Sequence, residues 1–201
     1  MRAFVIAMEC EADCVRPCLK PSDRLYVSGI GKVNAAAATQ RAICEGADEI
    51  WNVGLCGGFG DGIVLGDVYG VESACEYDFD LAAINHVSVG VIDGFDSPYI
   101  PCDRLPARSG GDAPVSYRIL ATGDHFNDSE ADHDLIVKTL GASLRDMEGA
   151  AVAHVCTLNR VKCVELKCVS DVAGCGAMTG QFLDNKAKCL RRLGEFLRTV
   201  L

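Results

Sequence analysis

The stretch "EIWNVGLCGGFG", residues 49 to 60, opens as a short, largely apolar run and ends in a cluster of glycines. Alternation of apolar and polar residues marks a strand with one face in water, whereas a run apolar on both faces marks a strand covered on both sides. The same pattern extends outward. "RAFVIAM" (2–8), "RLYVSG" (24–29), "GDVYGVESA" (66–74), "SYRILATG" (116–123) and "VKCVELKCVS" (161–170) also read as strands. Between most of them lie helix-like stretches: "GKVNAAAATQRAIC" (31–44), "SEADHDLIVKTL" (129–140) with Ser129 as its N-cap, and "GAAVAHVCTL" (149–158). The tail "QFLDNKAKCLRRLGEFLRTVL" (181–201) brings Phe182, Leu183, Leu190, Leu193, Leu197 and Leu201 near one face of an amphipathic helix.

Strand and helix in alternation predict one α/β domain over residues 1–201, a three-layer α/β/α arrangement around a mixed central sheet. Antiparallel strands are allowed near "YVSGIG" and "ACEYDFD". The segment from Ala82 to Val115, with clustered Gly and Pro, reads as a long loop or lid. The chain has 201 residues, 49% of them hydrophobic, enough for one core.

The formal charge is −9, and no basic cluster offsets it, so nucleic acid and anionic membrane are not expected partners. No apolar stretch approaches the roughly 18 residues of a spanning helix, and "MRAFVIAMEC" turns charged too early for a signal peptide, so a cytoplasmic protein is expected. The 12 cysteines then read as free thiols, mostly packing. Cys10, Cys14 and Cys18 recur every fourth residue, but Pro17 interrupts the helix that would align them and no fourth ligand has a zinc-like spacing; no metal is expected.

In open α/β sheets ligands collect at the carboxyl ends of strands. Here those ends run into Glu9 and Glu11, "SGIG", "GLCGGFG", "TGDHF", and Ser170 with Asp171. Glycines let backbone approach a ligand, and Glu11 and Asp171 bring carboxylates to the same rim. In "LRDMEGAAVAHVC" (144–156), Glu148 heads an apolar helix and could face that rim. Taken singly, each item reads better as a tight turn or a helix cap, and "SGIGK" lacks the spacing of a phosphate-cradling P-loop; what points to a site is that the glycines and acids fall at the same edge of one sheet.

"AMECE" (7–11), "SGIGKVNAAAAT" (28–39), "NVGLCGG" (52–58), "GDV" (66–68), "TGDHF" (122–126), "DMEGAA" (146–151) and "VSDVAG" (169–174) together resemble the ordered signature of the nucleoside phosphorylase/nucleosidase family. They are most like its methylthioadenosine/S-adenosylhomocysteine nucleosidases. The resemblance implies hydrolysis of the bond between a ribose carbon and a purine nitrogen, without metal or organic cofactor. Asp171 would protonate N7 of the leaving base with Ser170 orienting it, and Glu11 would activate the attacking water. Glu148 would hold the ribose hydroxyls and favour the ribosyl cation, Met147 would pack beneath the sugar, and Asp146 would only cap a helix. Phe126 would stack on the purine and the backbone near Asn127 would read its edge; Met8 and Ile30 would pack near the sugar and its 5′ substituent. The family's 5′ pocket is completed by a neighbouring subunit, which implies a homodimer with the 82–115 loop at its interface.

Several positions depart from the pattern. Asn52 and Leu55 stand where the phosphorylases carry Arg and Ser, which favours water over phosphate as the nucleophile. Lys167 replaces an Arg ahead of the "SDVA" block, keeping charge but losing the bidentate fork, and is counted with the substrate-binding residues. Gly174 replaces the block's closing Asp, and the stretch between Glu11 and "SGIGK" is short, consistent with loss of a hairpin. Hydrolysis or phosphorolysis of another nucleoside, such as futalosine or inosine, and nucleoside binding without turnover remain as alternative readings.

Overall fold

The computed structural model, which describes residues 1–106, 115–126 and 130–201, has eight strands and six α-helices; the six strands and four helices read from sequence are among them, and strands at 100–101 and 144–146 and helices at 9–15 and 82–85 are additional. The strands are β1 (Arg2–Ile6), β2 (Arg24–Val27), β3 (Glu49–Gly58), β4 (Val68–Glu76), β5 (Ile100–Pro101), β6 (Ser116–Thr122), β7 (Leu144–Asp146) and β8 (Lys162–Val172). The helices are α1 (Glu9–Val15), α2 (Lys32–Cys44), α3 (Ala82–Asn85), α4 (Glu130–Asp134), α5 (Gly149–Asn159) and α6 (Met178–Val200). The N-cap assigned to Ser129 lies outside the described residues.

Parallel pairing joins β2 to β1 and β1 to β3, with β2 at the edge. Beyond them β3 pairs with both β8 and β7, β8 pairs with β4, β4 with β6, and β6 with β7, so five strands close into a ring. The antiparallel pairs are β3–β7, β4–β8 and β4–β5, which makes the sheet mixed, although β2 itself is parallel. Ring closure needs long contacts that no local pattern encodes.

The two faces of the sheet are covered as a doubly apolar strand requires. Ala35 and Ala42 of α2 and Ala150 to Ala153 of α5 pack on one side with Val5, Ile50 and Val71. Ala12 and Val15 of α1 and Leu193 and Leu197 of α6 pack on the other with Phe4, Trp51 and Leu166. Small residues on α2 and α5 let those helices sit close to each other and to the sheet. Trp51 is fully buried against Phe4, ring centroids 5.7 Å apart, with the Arg2 guanidinium over both rings. No helix among the described residues is long and apolar enough to cross a membrane.

Residues 82–106 do not form a lid over their own chain's cavity. Phe95 packs edge-on against His154 of α5, Ile100 is buried, and none of these residues lines the cavity described below. Residues 107–114 of the predicted loop lie outside the described residues. Cys10, Cys14 and Cys18 are half-buried rather than buried, and Cys18 Sγ lies 3.9 Å from Gly194 O of α6. Pro17 sits in a single 3₁₀ turn after α1, as the interrupted helix required.

Candidate active site

A cavity of about 340 Å³ opens where the carboxyl ends of β1, β3 and β8 meet the starts of α5 and α6. Met8, Glu11, Ile30, Phe126, Met147, Glu148, Ser170 and Asp171 all line it, so eight of the ten residues expected from sequence converge there. Asn127 lies outside the described residues. Lys167 is the exception and is treated below.

Glu11 sits in the first turn of α1, where its Oε2 accepts the Met8 N–H at 3.1 Å, the carboxylate half of a capping box. Its Oε1 reaches across to β3 and accepts the Leu55 N–H at 2.8 Å. That reach depends on Gly54, since a Cβ there would lie 2.8 Å from Glu11 Oε1. Burial raises the Glu11 pKa, while the Leu55 N–H and the charge of Lys167 pull it back. The side chain of Leu55, in place of a hydroxyl, supplies only apolar wall to the cavity.

Asp171 is fully buried at the end of β8. The β3–β8 register steps from Cys56↔Val169 to Gly57↔Asp171, leaving Ser170 as the bulged residue, and such a bulge re-aims the side chain that follows. Ser170 Oγ donates to Asp171 Oδ1 at 2.6 Å and also lies 3.2 Å from Cys56 O. A hydroxyl so placed can donate to the ionised carboxylate, or donate to the carbonyl while accepting from the protonated acid. Gly57 makes room opposite, where a Cβ would lie 2.9 Å from Asp171 Oδ2 and 2.8 Å from Met178 Cε.

Glu148 precedes α5 and accepts the Gly31 N–H at 2.8 Å. Gly31 has φ +102°, a conformation that side chains rarely adopt, so glycine is required for that N–H to point at the carboxylate. The next N–H, of Lys32, donates to Asp124 at 2.8 Å. Three sequence blocks, "SGIGK", "TGDHF" and "DMEGAA", are thereby pinned together. Burial pushes Glu148 up to about 7, helped by the nearby Asp146 charge and opposed by the Gly31 N–H and Lys167.

Lys167 does not line the cavity, contrary to the sequence expectation. It is 2% exposed beneath the floor, where Nζ contacts Asp146 Oδ2 at 2.7 Å and Asn52 Oδ1. Burial alone would lower its pKa, but the Asp146 and Glu165 carboxylates outweigh it and the net shift is upward. Asn52 is held in turn by donating to Val5 O at 2.8 Å. The positive charge therefore acts through Asp146, which also accepts from Thr122 Oγ1 at 2.6 Å and from the Gly149 N–H at 2.8 Å. The capping role read for Asp146 is present, and the ion pair with Lys167 adds to it.

Two features escaped the sequence reading. Arg145 also lines the cavity, its guanidinium 5.9 Å from the Phe126 ring centre and 5.3 Å from that of Phe59. Its only sequence signal was adjacency to "DMEGAA". Leu183, placed by periodicity on the packed face of the last helix, is 69% exposed at the cavity wall, because the first turns of α6 overhang the cavity before the helix docks on the sheet. Phe182 beside it meets Phe126 edge to face at 5.6 Å.

A family model described as the phosphorylase superfamily matches residues 24–201. A 5′-methylthioadenosine/S-adenosylhomocysteine nucleosidase of Oceanobacillus iheyensis is 34% identical over 158 residues, covering 75% of this chain and 68% of that one. An aminodeoxyfutalosine nucleosidase of Campylobacter jejuni is 32% identical over 157 residues with the same coverage. Among solved structures, the 5′-methylthioadenosine/S-adenosylhomocysteine nucleosidase of Helicobacter pylori with butyl-thio-DADMe-Immucillin-A superposes with a TM-score of 0.84 at 21% identity, covering 99% of this chain and 96% of that one. A three-layer fold with a closed strand ring, six of the seven motif blocks meeting at one cavity, and a family match over most of the length lead to one assignment: the chain belongs to the phosphorylase superfamily.

Proposed function

We propose that this protein is a purine nucleosidase that hydrolyses the N-glycosidic bond of 5′-substituted adenosines, 5′-methylthioadenosine and S-adenosylhomocysteine among them. The observation that carries the reading is the convergence of Glu11, Glu148 and Asp171, from three remote parts of the chain, on one cavity walled by apolar side chains. As the bond between C1′ and N9 stretches, the sugar carbon becomes cationic and the base accumulates negative charge. Asp171 gives a proton to N7 so that the base leaves neutral, and Glu11 takes a proton from the water that bonds to C1′. Glu148 accepts from the ribose hydroxyls and its charge favours the cation. Phe126 stacks on the purine and Met147 packs under the sugar. No cofactor takes part in these steps.

Water rather than phosphate is the nucleophile in this reading, because Glu11 presents a carboxylate to the attacking face and Lys167 is committed to Asp146 and Asn52. A phosphate dianion placed there would meet the like charge of Glu11. A panel of nucleosides, including 5′-methylthioadenosine, futalosine-type nucleosides and inosine, assayed for free base with and without phosphate, tests the proposal. Release of adenine independent of phosphate supports it; strict phosphate dependence, or tight binding with no release, overturns it. The likeness to an aminodeoxyfutalosine nucleosidase favours including that substrate.

The apolar rim also bears on assembly. Ile30, Phe126 and Leu183 are 51%, 43% and 69% exposed beside the cavity, more than a 5′ alkylthio group alone would cover. This supports a homodimer in which a second copy completes the 5′ pocket, and the twelve unpaired thiols suit the reducing cytoplasm.

Two expected outcomes follow from the site's geometry. Gly57→Ala forces Asp171 or Met178 to move, so kcat should fall by about 10²-fold while the fold persists, a displacement near 1 Å being enough; unchanged kcat with normal circular dichroism would remove Asp171 from the reacting position. The second outcome concerns pH. Glu148 and Glu11 act as anions and both have raised pKa values, so kcat/KM should decline as pH drops below about 7. For stability the sign is opposite. A folded pKa above the unfolded 4.5 favours the folded state at low pH, and this contribution, of order 3 kcal/mol for Glu148, is lost as pH rises through 7. Denaturation midpoints at about pH 6 and pH 8 should therefore differ less in Glu148→Gln than in the parent.

A further inference from the structure

On the α5 side of β8, away from the cavity, Cys102, Cys163 and Glu165 offer three ligand atoms that all lie within 4.8 Å of one another. They come from different parts of the chain. Cys102 follows β5 and is half-buried, while Cys163 and Glu165 are buried neighbours on one face of β8. An isolated bridge between Asp103 and Val164 holds the two segments in register, with the Asp103 N–H donating to Cys163 O at 2.6 Å and the Cys163 N–H donating to Asp103 Oδ2 at 2.9 Å. Backbone pairing thus fixes the thiols next to each other. A third thiol, Cys156 of α5, is fully buried and interacts with that of Cys163.

The carboxylate is the telling member. Glu165 is 1% exposed, Cys163 Sγ lies 3.7 Å from its Oε1, and Oε2 accepts no hydrogen bond among the described residues. A buried carboxylate oxygen left without a partner is costly, and a bound ion or water is one of the explanations such a group calls for. Lys167, two residues along the strand, compensates the charge only from a distance, being in contact with Asp146 and Asn52.

We propose that Cys102, Cys163 and Glu165 form a binding site for a thiophilic divalent cation of the zinc type, with Cys156, which lies outside that cluster, swinging in as the fourth ligand. Tetrahedral zinc with bonds of about 2.3 Å to sulfur and about 2.0–2.2 Å to oxygen sets its ligand atoms roughly 3.5–3.8 Å apart, so the three clustered atoms must draw together and Cys156 must move towards them as the ion binds. Each bound thiol releases its proton to solvent, and the thiolates with the Glu165 carboxylate exceed the charge of the cation, the excess being met in part by the nearby Lys167 ammonium. The ion would fasten the segment after β5 to β8 and α5, below the floor on which Asp146 and Lys167 sit. Its role is structural, because the cluster does not line the substrate cavity.

The test uses the full-length protein, reduced, stripped with a chelator and titrated with Co²⁺ and Zn²⁺. Expected are one metal per chain, a thiolate-to-cobalt charge-transfer band that Zn²⁺ abolishes, and a rise in Tm with added metal. Cys102→Ser and Cys163→Ser should each lose most of the band, whereas Cys44→Ser, at an exposed thiol, should keep it. Should Cys163→Ser fail to fold, Zn²⁺ protection of Cys102 from maleimide in the unaltered protein, read by mass spectrometry, decides the matter. Absence of stoichiometric uptake, a band that survives in Cys102→Ser, or labelling of Cys102 unaffected by Zn²⁺ would overturn the site.

Discussion

Asp171→Asn should lower kcat for base release by about 10²–10⁴-fold while nucleoside affinity changes little. The amide keeps the volume and the hydrogen bond to Ser170 but has no proton to give to N7. Its neighbours are built to hold a carboxyl group: Ser170 Oγ at 2.6 Å, the bulge that turns residue 171 inward, and the absence of a Cβ at Gly57. Since none of these contacts is to the substrate, their retention should preserve the pocket. Adenine release followed by absorbance, with calorimetry of a non-hydrolysable analogue as the binding control, separates the two effects. Turnover within tenfold of the parent would mean that another group protonates the base.

Glu11→Gln should cost a similar factor, about 10²–10⁴ in kcat, for a different reason. Both carboxylate oxygens accept backbone N–H groups, from Leu55 and Met8. An amide puts an NH₂ against one of these donors, so the side chain loses one anchor as well as its basicity. A structural loss alone would show as a lower Tm with partial activity. Loss of the base predicts in addition that the acid limb of the kcat pH profile attributable to Glu11 disappears. A profile that keeps that limb unchanged, with only a uniform drop, would assign the water-activating role elsewhere. Should both variants retain activity, the three-carboxylate mechanism fails although the family assignment stands.

The strands and helices were legible because their signals are local. A run such as "RAFVIAM" is apolar on both faces whichever partner it finds, and α2 announces itself through "SGIG" followed by a stretch of alanines. Helix limits at both ends of α2 and α5 fall within a residue of the reading, since glycine and the last apolar residue mark them. The amphipathic tail was legible for its docked part, Leu193 and Leu197, and misread at Leu183, because periodicity reports a helix face without saying where the neighbouring layer ends. Lys167 was misread for a related reason. A lysine between apolar strand residues has no local sign of whether its ammonium reaches a cavity or a buried carboxylate.

What the sequence determined by itself was the α/β class and the order of most of the elements, and, through motif blocks that resemble those of a known family, which carboxylates to look for at the strand ends. Tertiary structure alone decided the rest: the ring closed by β7 and β8, the burial of Lys167 under Asp146, the overhang of α6, and the meeting of Cys102 with Cys163. The physical reason is range. Backbone propensity and apolar periodicity act over a few residues, whereas the pKa of Glu148 and the pairing of a buried ammonium are set by groups that only folding brings within a few ångströms.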